Sequence, residues 1–151
     1  MKKLLSLSIA LAVLVCVNKV SAQEYRSALG VRLSSAPAVV NHSVSFKYFT
    51  SETLALEGLL SFSDPVAIGL LFEKHRPFSA QGLQWFYGAG GYVGFGGNTN
   101  VGGMGIIGLD YKFTNAPLNL SLDWKPELNI ISDINFEPAA IGFSARFTFG
   151  R

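Results

Sequence analysis

Eleven ionisable side chains recur inside otherwise apolar segments: Arg26, Arg32, Lys47, Lys112, Lys125 and Arg146 as bases, and Glu57, Glu73, Asp110, Asp123 and Glu127 as acids. If the segments share one narrow interior, these groups must pair, because an unpaired buried charge is costly. Such a set can form a hydrogen-bonded plug that fixes register, or it can line a narrow pore or proton path. His42 with Ser43 or Ser45 offers a base and a nucleophile, the start of a hydrolase site. Strand alternation, however, sends His42 to the face opposite both serines, and no acid falls beside it. His75 with Arg76 reads as part of a turn, and two isolated histidines do not make a metal site. The stretch Gly88-Ala89-Gly90-Gly91-Tyr92-Val93-Gly94-Phe95-Gly96-Gly97 lacks the Gly-Lys-Ser/Thr of a phosphate loop, so its small residues read as space for interior side chains. No catalytic residue, cofactor site or metal site is therefore expected.

The elements that would position the charges are legible from period-two alternation. Ala139 to Phe149 places Ile141, Phe143, Ala145, Phe147 and Phe149 on one face and Gly142, Ser144, Arg146 and Thr148 on the other. Seven more segments repeat the pattern, giving strands at about 25–33, 39–49, 54–62, 66–74, 83–95, 103–113, 118–127 and 139–149. The connections fall at Ser34–Ala38, Thr50–Thr53, Ser63–Pro65, His75–Gly82, Gly96–Gly102, Thr114–Pro117 and Leu128–Pro138. Segments of this length suit tilted strands that cross a bilayer. Pro126 falls inside the seventh, where a closed barrel cannot spare an amide, and predicts a bulge or strand end.

Volume decides which face is inside. An eight-stranded barrel holds just enough interior for side chains to fill, and the large aliphatic and aromatic groups of the apolar parity would overfill it. The apolar side therefore points outward and the charges inward. In water such an exterior would far exceed the apolar patch a soluble monomer tolerates, so the surroundings must be lipid. Aromatics support this: Tyr25, Tyr48, Phe49, Phe72, Trp85, Tyr87, Tyr111, Phe113, Phe147 and Phe149 fall at the strand ends that share one rim, as in an interfacial girdle. Phe62, Phe95 and Trp124 begin a thinner one at the other rim.

Lys2 and Lys3, an apolar run from Leu4 to Val17, and Val20-Ser21-Ala22 form the three parts of a cleavable signal peptide. The division is thus 1–22 signal peptide and 23–151 barrel domain, with the mature chain starting near Gln23. Cys16, the only cysteine, lies in the leader, and Val15 before it argues against lipidation. From Gln23 onward nine bases face ten acids, so the precursor's formal charge of +2 belongs to the leader and nucleic-acid binding loses its compositional support.

The whole mature chain resembles the small eight-stranded outer-membrane barrels of Gram-negative bacteria, the outer-membrane protein A and X class of porin-like proteins. The likeness is carried by the leader, by Lys47 to Gly58, by Gly108-Leu109-Asp110-Tyr111-Lys112-Phe113 and by the closing aromatic strand. It implies an all-β, eight-stranded antiparallel up-and-down transmembrane barrel. It also implies a cell outer-membrane location, lipid as the partner of the outer wall, and reading of Phe149 by the barrel-assembly machinery. Gly150 and Arg151 depart from the pattern by following that aromatic, and only Leu128–Pro138 has the length usual for outer loops. Ile130, Ile131, Ile134 and Phe136 in that loop either cap the barrel mouth or present a contact patch. The expected role is a non-enzymatic, monomeric barrel with a plugged, charge-paired lumen, serving envelope integrity or surface interaction. The alternatives are a narrow channel for small solutes or ions, and a soluble lipocalin-like carrier with its apolar face inward.

Overall fold

The structure, a computed structural model, describes residues 25–150. The expected signal peptide with Cys16, the expected start near Gln23, and Arg151 lie outside the described residues. Ten strands follow in chain order: β1 Ser27–Ser34, β2 Ser43–Phe49, β3 Leu54–Ser61, β4 Val66–Pro77, β5 Leu83–Phe95, β6 Asn100–Lys112, β7 Leu118–Trp124, β8 Glu127–Ile131, β9 Asn135–Glu137 and β10 Ile141–Phe149. All pairings are antiparallel. β1 is bonded to both β2 and β10, and β5 to β6, so the sheet closes on itself.

The ten strands make eight staves, because β6 pairs with β7 along one half and with β8 along the other. β7 and β8 are one stave interrupted at Pro126. Its register passes through unchanged, with Ile107 opposite Trp124 on one side and Met104 opposite Glu127 on the other. Proline has no amide to donate, but the Gly105 amide still reaches the Pro126 carbonyl at 3.0 Å, so only half of that hydrogen-bonded pair is lost. The expected interruption is therefore present as a strand break without a register slip. β9 and β10 form the eighth stave, separated by Pro138–Ala140. Stepping from partner to partner around the wall returns to β1 displaced by about ten residues, a stagger that tilts the strands by roughly 40°.

Several boundaries differ from the alternation reading. Residues 128–138 are not a loop: β8 and β9 form a hairpin, and the Trp124 indole donates to the Pro138 carbonyl at 2.5 Å to close the corner. Ile130, Ile131, Ile134 and Phe136 are exposed, so they do not cap the mouth. β2 begins at Ser43 rather than near residue 39, since the chain from Ala36 to Val40 turns into the barrel. β4 runs on to Pro77, with the His75 amide bonded to the Thr53 carbonyl at 2.7 Å. Its turn into β5 is correspondingly short, and Gly82 supplies the positive φ of 78° that it needs.

The faces fall as volume requires. Leu29, Val31, Phe46, Leu70, Phe72, Leu122 and Phe147 are among the many large apolar side chains on the outside, whereas Arg32, Lys47, Glu57 and Lys125 have no exposed surface. A carrier would need the reverse arrangement. The interior is not uniformly polar, however. The wall formed by β3 to β6 contributes Leu59, Ala67, Leu71, Phe86, Tyr92, Met104 and Ile106, an apolar core that starts with Phe86 beside Lys47 and runs towards the end opposite the termini, and against which the polar wall of β1, β2, β7, β8 and β10 is set.

Candidate functional site in the charged interior

At the end holding both termini, Arg146 is the hub. It pairs with Glu57 through Nη2, donates from Nε to Ser45 Oγ at 2.6 Å, and from Nη1 to Ser121 Oγ at 2.8 Å and Asn119 Oδ1 at 3.2 Å. The three nitrogens of that guanidinium face three different staves, Nη2 towards β3, Nε towards β2 and Nη1 towards β7, which is how a planar fork can be buried. Ser45 also donates to Glu57 at 2.5 Å. Lys47 lies 2.8 Å from Glu73, 3.6 Å from Glu57 and 3.9 Å from Asp110, with its ammonium 4.5 Å from the centre of the Phe86 ring. Asn119 donates to Asp110 at 2.8 Å. These five charges thus share one cluster, built because β2, β3, β4, β6 and β10 each turn the same parity inward at this level.

Two further pairs lie deeper towards the other end. Arg32 grips Asp123 with two bonds, Nη2 to Oδ1 at 2.5 Å and Nε to Oδ2 at 3.2 Å. Gly142 faces Arg32 from the adjoining strand, and a side chain there would occupy the guanidinium's place. Lys125 pairs with Glu127 across Pro126. Nine of the eleven sequence-derived residues are therefore buried in three ionic groups: Lys47, Glu57, Glu73, Asp110 and Arg146; Arg32 and Asp123; Lys125 and Glu127.

The other two stand elsewhere. Arg26 precedes β1 and is exposed, its guanidinium 5.7 Å from the Tyr48 ring centre, because the alternation does not hold before Ser27. Lys112 ends β6 and bends to the turn, where its ammonium binds the Phe113 carbonyl and the Ala116 carbonyl, the latter at 2.9 Å. It closes the 113–117 turn instead of joining an ion pair.

The aromatic rim needs the same kind of correction. Tyr48, Phe72, Trp85, Tyr87, Tyr111, Phe113, Phe147 and Phe149 are exposed or half-buried, with Trp85 stacked on Tyr87 at 5.3 Å and Tyr111 set edge-on to Phe113 at 4.8 Å. Tyr25 is instead inside, its hydroxyl 3.4 Å from Asp110 and its ring edge-on to Phe49 at 5.4 Å. Phe49 is inside as well. Together they floor the lumen at the terminal end.

His75 is not in a turn but wholly buried in β4, two residues beyond Glu73 and on the same face. Its Nε2 lies 2.9 Å from Glu73, and its ring stacks on Phe86 at 5.0 Å while meeting Phe49 edge-on at 4.8 Å. Parity from Glu73 is the sequence signal for this position, because β4 runs three residues past the expected end at 74 and carries its alternation with it. Asn129 was also missed. Its amide donates to Asn100 at 3.1 Å and to the Ile131 and Asp133 carbonyls at 2.9 Å each, tying the β8–β9 turn to β6. His42 is exposed and accepts the Ser34 amide at 3.2 Å, while Ser43 is buried, so the two do not meet.

No family model, curated protein or solved structure matches this chain. The chemistry must be read from the arrangement itself. Among the described residues no group of histidine, cysteine and acidic side chains has the geometry of a metal site. What the interior does offer is ionic bonds that tie staves distant in sequence, Arg32 to Asp123 and the cluster around Arg146 and Glu57, beside the local pair Lys125 and Glu127. Losing one partner of such a buried pair costs about 3–5 kcal/mol, so these bonds hold register strongly.

Proposed function

We propose that the chain is an outer-membrane β-barrel protein of the outer-membrane protein A and X class. In this reading it is non-enzymatic and monomeric, exported by its 1–22 leader and folded by the barrel-assembly machinery. Its role is envelope integrity or surface interaction, with the terminal end of the barrel in the periplasm. The inversion of polarity carries this reading: arginine, lysine and glutamate are sealed inside while Leu70, Phe72, Phe147 and their neighbours stand outside. Only hydrocarbon makes such an exterior favourable. The eight outward aromatics at the terminal rim fit an interface girdle.

A narrow channel is the second reading, favoured by a polar wall that runs from Arg146 past Arg32 and Asp123 to Lys125 and Glu127. Refolded protein in planar bilayers separates the two. A silent bilayer supports the plugged barrel, whereas unitary current steps altered by Glu57→Gln or Arg146→Gln establish the channel. Fractionation of cells tests location: the membrane reading expects recovery with the outer membrane, heat-modifiable migration, and proteolysis of intact cells confined to exposed turns such as Ser132–Ile134. Recovery in the soluble periplasmic fraction would reject it.

A further inference from the structure

The segment between β1 and β2 behaves as a ligand of the barrel that carries it. Val40 has no exposed surface and belongs to one buried apolar cluster with Leu59, Leu71, Tyr92, Met104 and Ile106. The Val39 amide donates to Glu127 Oε2 at 2.9 Å, and the Val40 amide lies 3.3 Å from both oxygens of the same carboxylate. The Val40 carbonyl accepts from Lys125 Nζ at 3.2 Å. One carboxylate therefore reads two successive N–H groups and its paired ammonium reads the next carbonyl, so both main-chain polarities are recognised.

The wall is also cut to receive the side chains. A Cβ added to Gly94 would stand 2.9 Å from Val39 Cγ1, and one added to Gly69 would stand 3.5 Å from Val40 Cγ2 and closer still to the Met104 tip. Both glycines lie on the inward parity, where bulk would otherwise serve packing. None of these contacts requires Val39–Val40 to be joined to β1 and β2, and no strand pairing involves residues 36–42.

We propose that the half of the interior opposite the termini is a binding cup for a short peptide that bends at two adjacent small aliphatic residues, so that their successive N–H groups point to one side, occupied here in cis by Val39–Val40. A peptide fits where a fatty acid does not. A free carboxylate would meet the charge of Glu127, and an alkyl chain has no N–H group to satisfy it. This goes beyond the membrane reading, which adds only that the cup opens to the cell exterior.

The test uses the refolded full mature barrel in detergent micelles, so its outcome is independent of which membrane holds the chain. The probe is a fluorescent peptide of residues 37–42, Pro-Ala-Val-Val-Asn-His, and the receptor is the Val39→Ser/Val40→Ser variant, whose own segment has lost its apolar anchors. Saturable binding is expected, weakened at least about tenfold when the probe carries Ser-Ser in place of Val-Val. Adding Glu127→Gln to the receptor is expected to weaken it to a similar degree. The unsubstituted barrel should bind at least about tenfold less, because its tethered segment competes at millimolar effective concentration. Equal binding of the Ser-Ser probe, or none of either, overturns the proposal. Should the variant not fold, amide exchange on the unsubstituted barrel decides. Val39 and Val40 amides exchanging faster than those of Phe46 and Leu70 show the cup being vacated, whereas equal protection shows a fixed part of the wall and refutes it.

Discussion

At the residue scale the interior is held by charges whose partners come from far along the chain, and Arg146 shows what that implies. Its guanidinium contacts Glu57, Ser45, Asn119 and Ser121, so Arg146→Gln leaves Glu57 sealed beside Lys47 with one cation instead of two. The substitution is expected to lower unfolding stability by about 3–5 kcal/mol in a urea titration of refolded protein. The double variant Glu57→Gln/Arg146→Gln should recover part of that loss, because it removes the stranded charge. A double-variant cycle with no coupling would mean that the pair contributes nothing to stability. Nine of the paired charges could be placed by parity alone, since alternation within a strand is a geometric necessity. Arg26 and Lys112 could not, because at a strand end nothing compels alternation and a long flexible side chain follows the nearest hydrogen-bond partner. Tyr25 fails for the same reason. Phe49 and His75 share the parity of Lys47 and Glu73, and that parity places both inside even where an aromatic at a rim or a His-Arg pair after a strand suggests otherwise.

At the scale of elements, the tight coil of β4, β5 and β6 explains why the glycines cluster. Glycine on an inward strand position reads from sequence as room for a side chain crossing the lumen, and Gly142 and Gly69 serve that purpose towards Arg32 and Met104. Gly88 and Gly90 do not. A Cβ on either would strike the β4 backbone, at the Phe72 and Leu70 carbonyls, so these positions let neighbouring strands approach and coil. Gly90→Ala is therefore expected to cost about 1–3 kcal/mol, as overpacking against backbone does. Gly103→Ala has only the Gly90 carbonyl at 3.8 Å and should be neutral or slightly stabilising. Equal melting temperatures for the two variants would remove the coiling argument. Strand number and order were legible because each stave repeats the same alternation. The inward turn of 36–40 was not, because Ala38, Val39 and Val40 continue an extended-looking run, and only the three-dimensional position of Glu127 and Lys125 gives their amides and carbonyl a place to go.

At the scale of the molecule the decisive quantity is what surrounds the outer wall. A soluble barrel with Leu70 and Leu122 in water would gain or lose little from a surface lysine, whereas a barrel in a bilayer must bring that ammonium into hydrocarbon. Leu70 lies in the middle of β4 and is 46% exposed, and Ile134 lies at the β8–β9 turn and is 84% exposed. If lipid surrounds the wall, Leu70→Lys costs about 2–4 kcal/mol in vesicle refolding, and Ile134→Lys at most about 1 kcal/mol, because the penalty for a cation falls from midplane to interface. The more exposed residue is thus predicted to be the more tolerant one to charge, and the contrast survives any general effect of lysine on a strand if Leu70→Gln is taken as the neutral reference. Equal tolerance at both sites would place water around the wall. The ionic core would then remain as described, but the apolar exterior would need a protein partner to cover it.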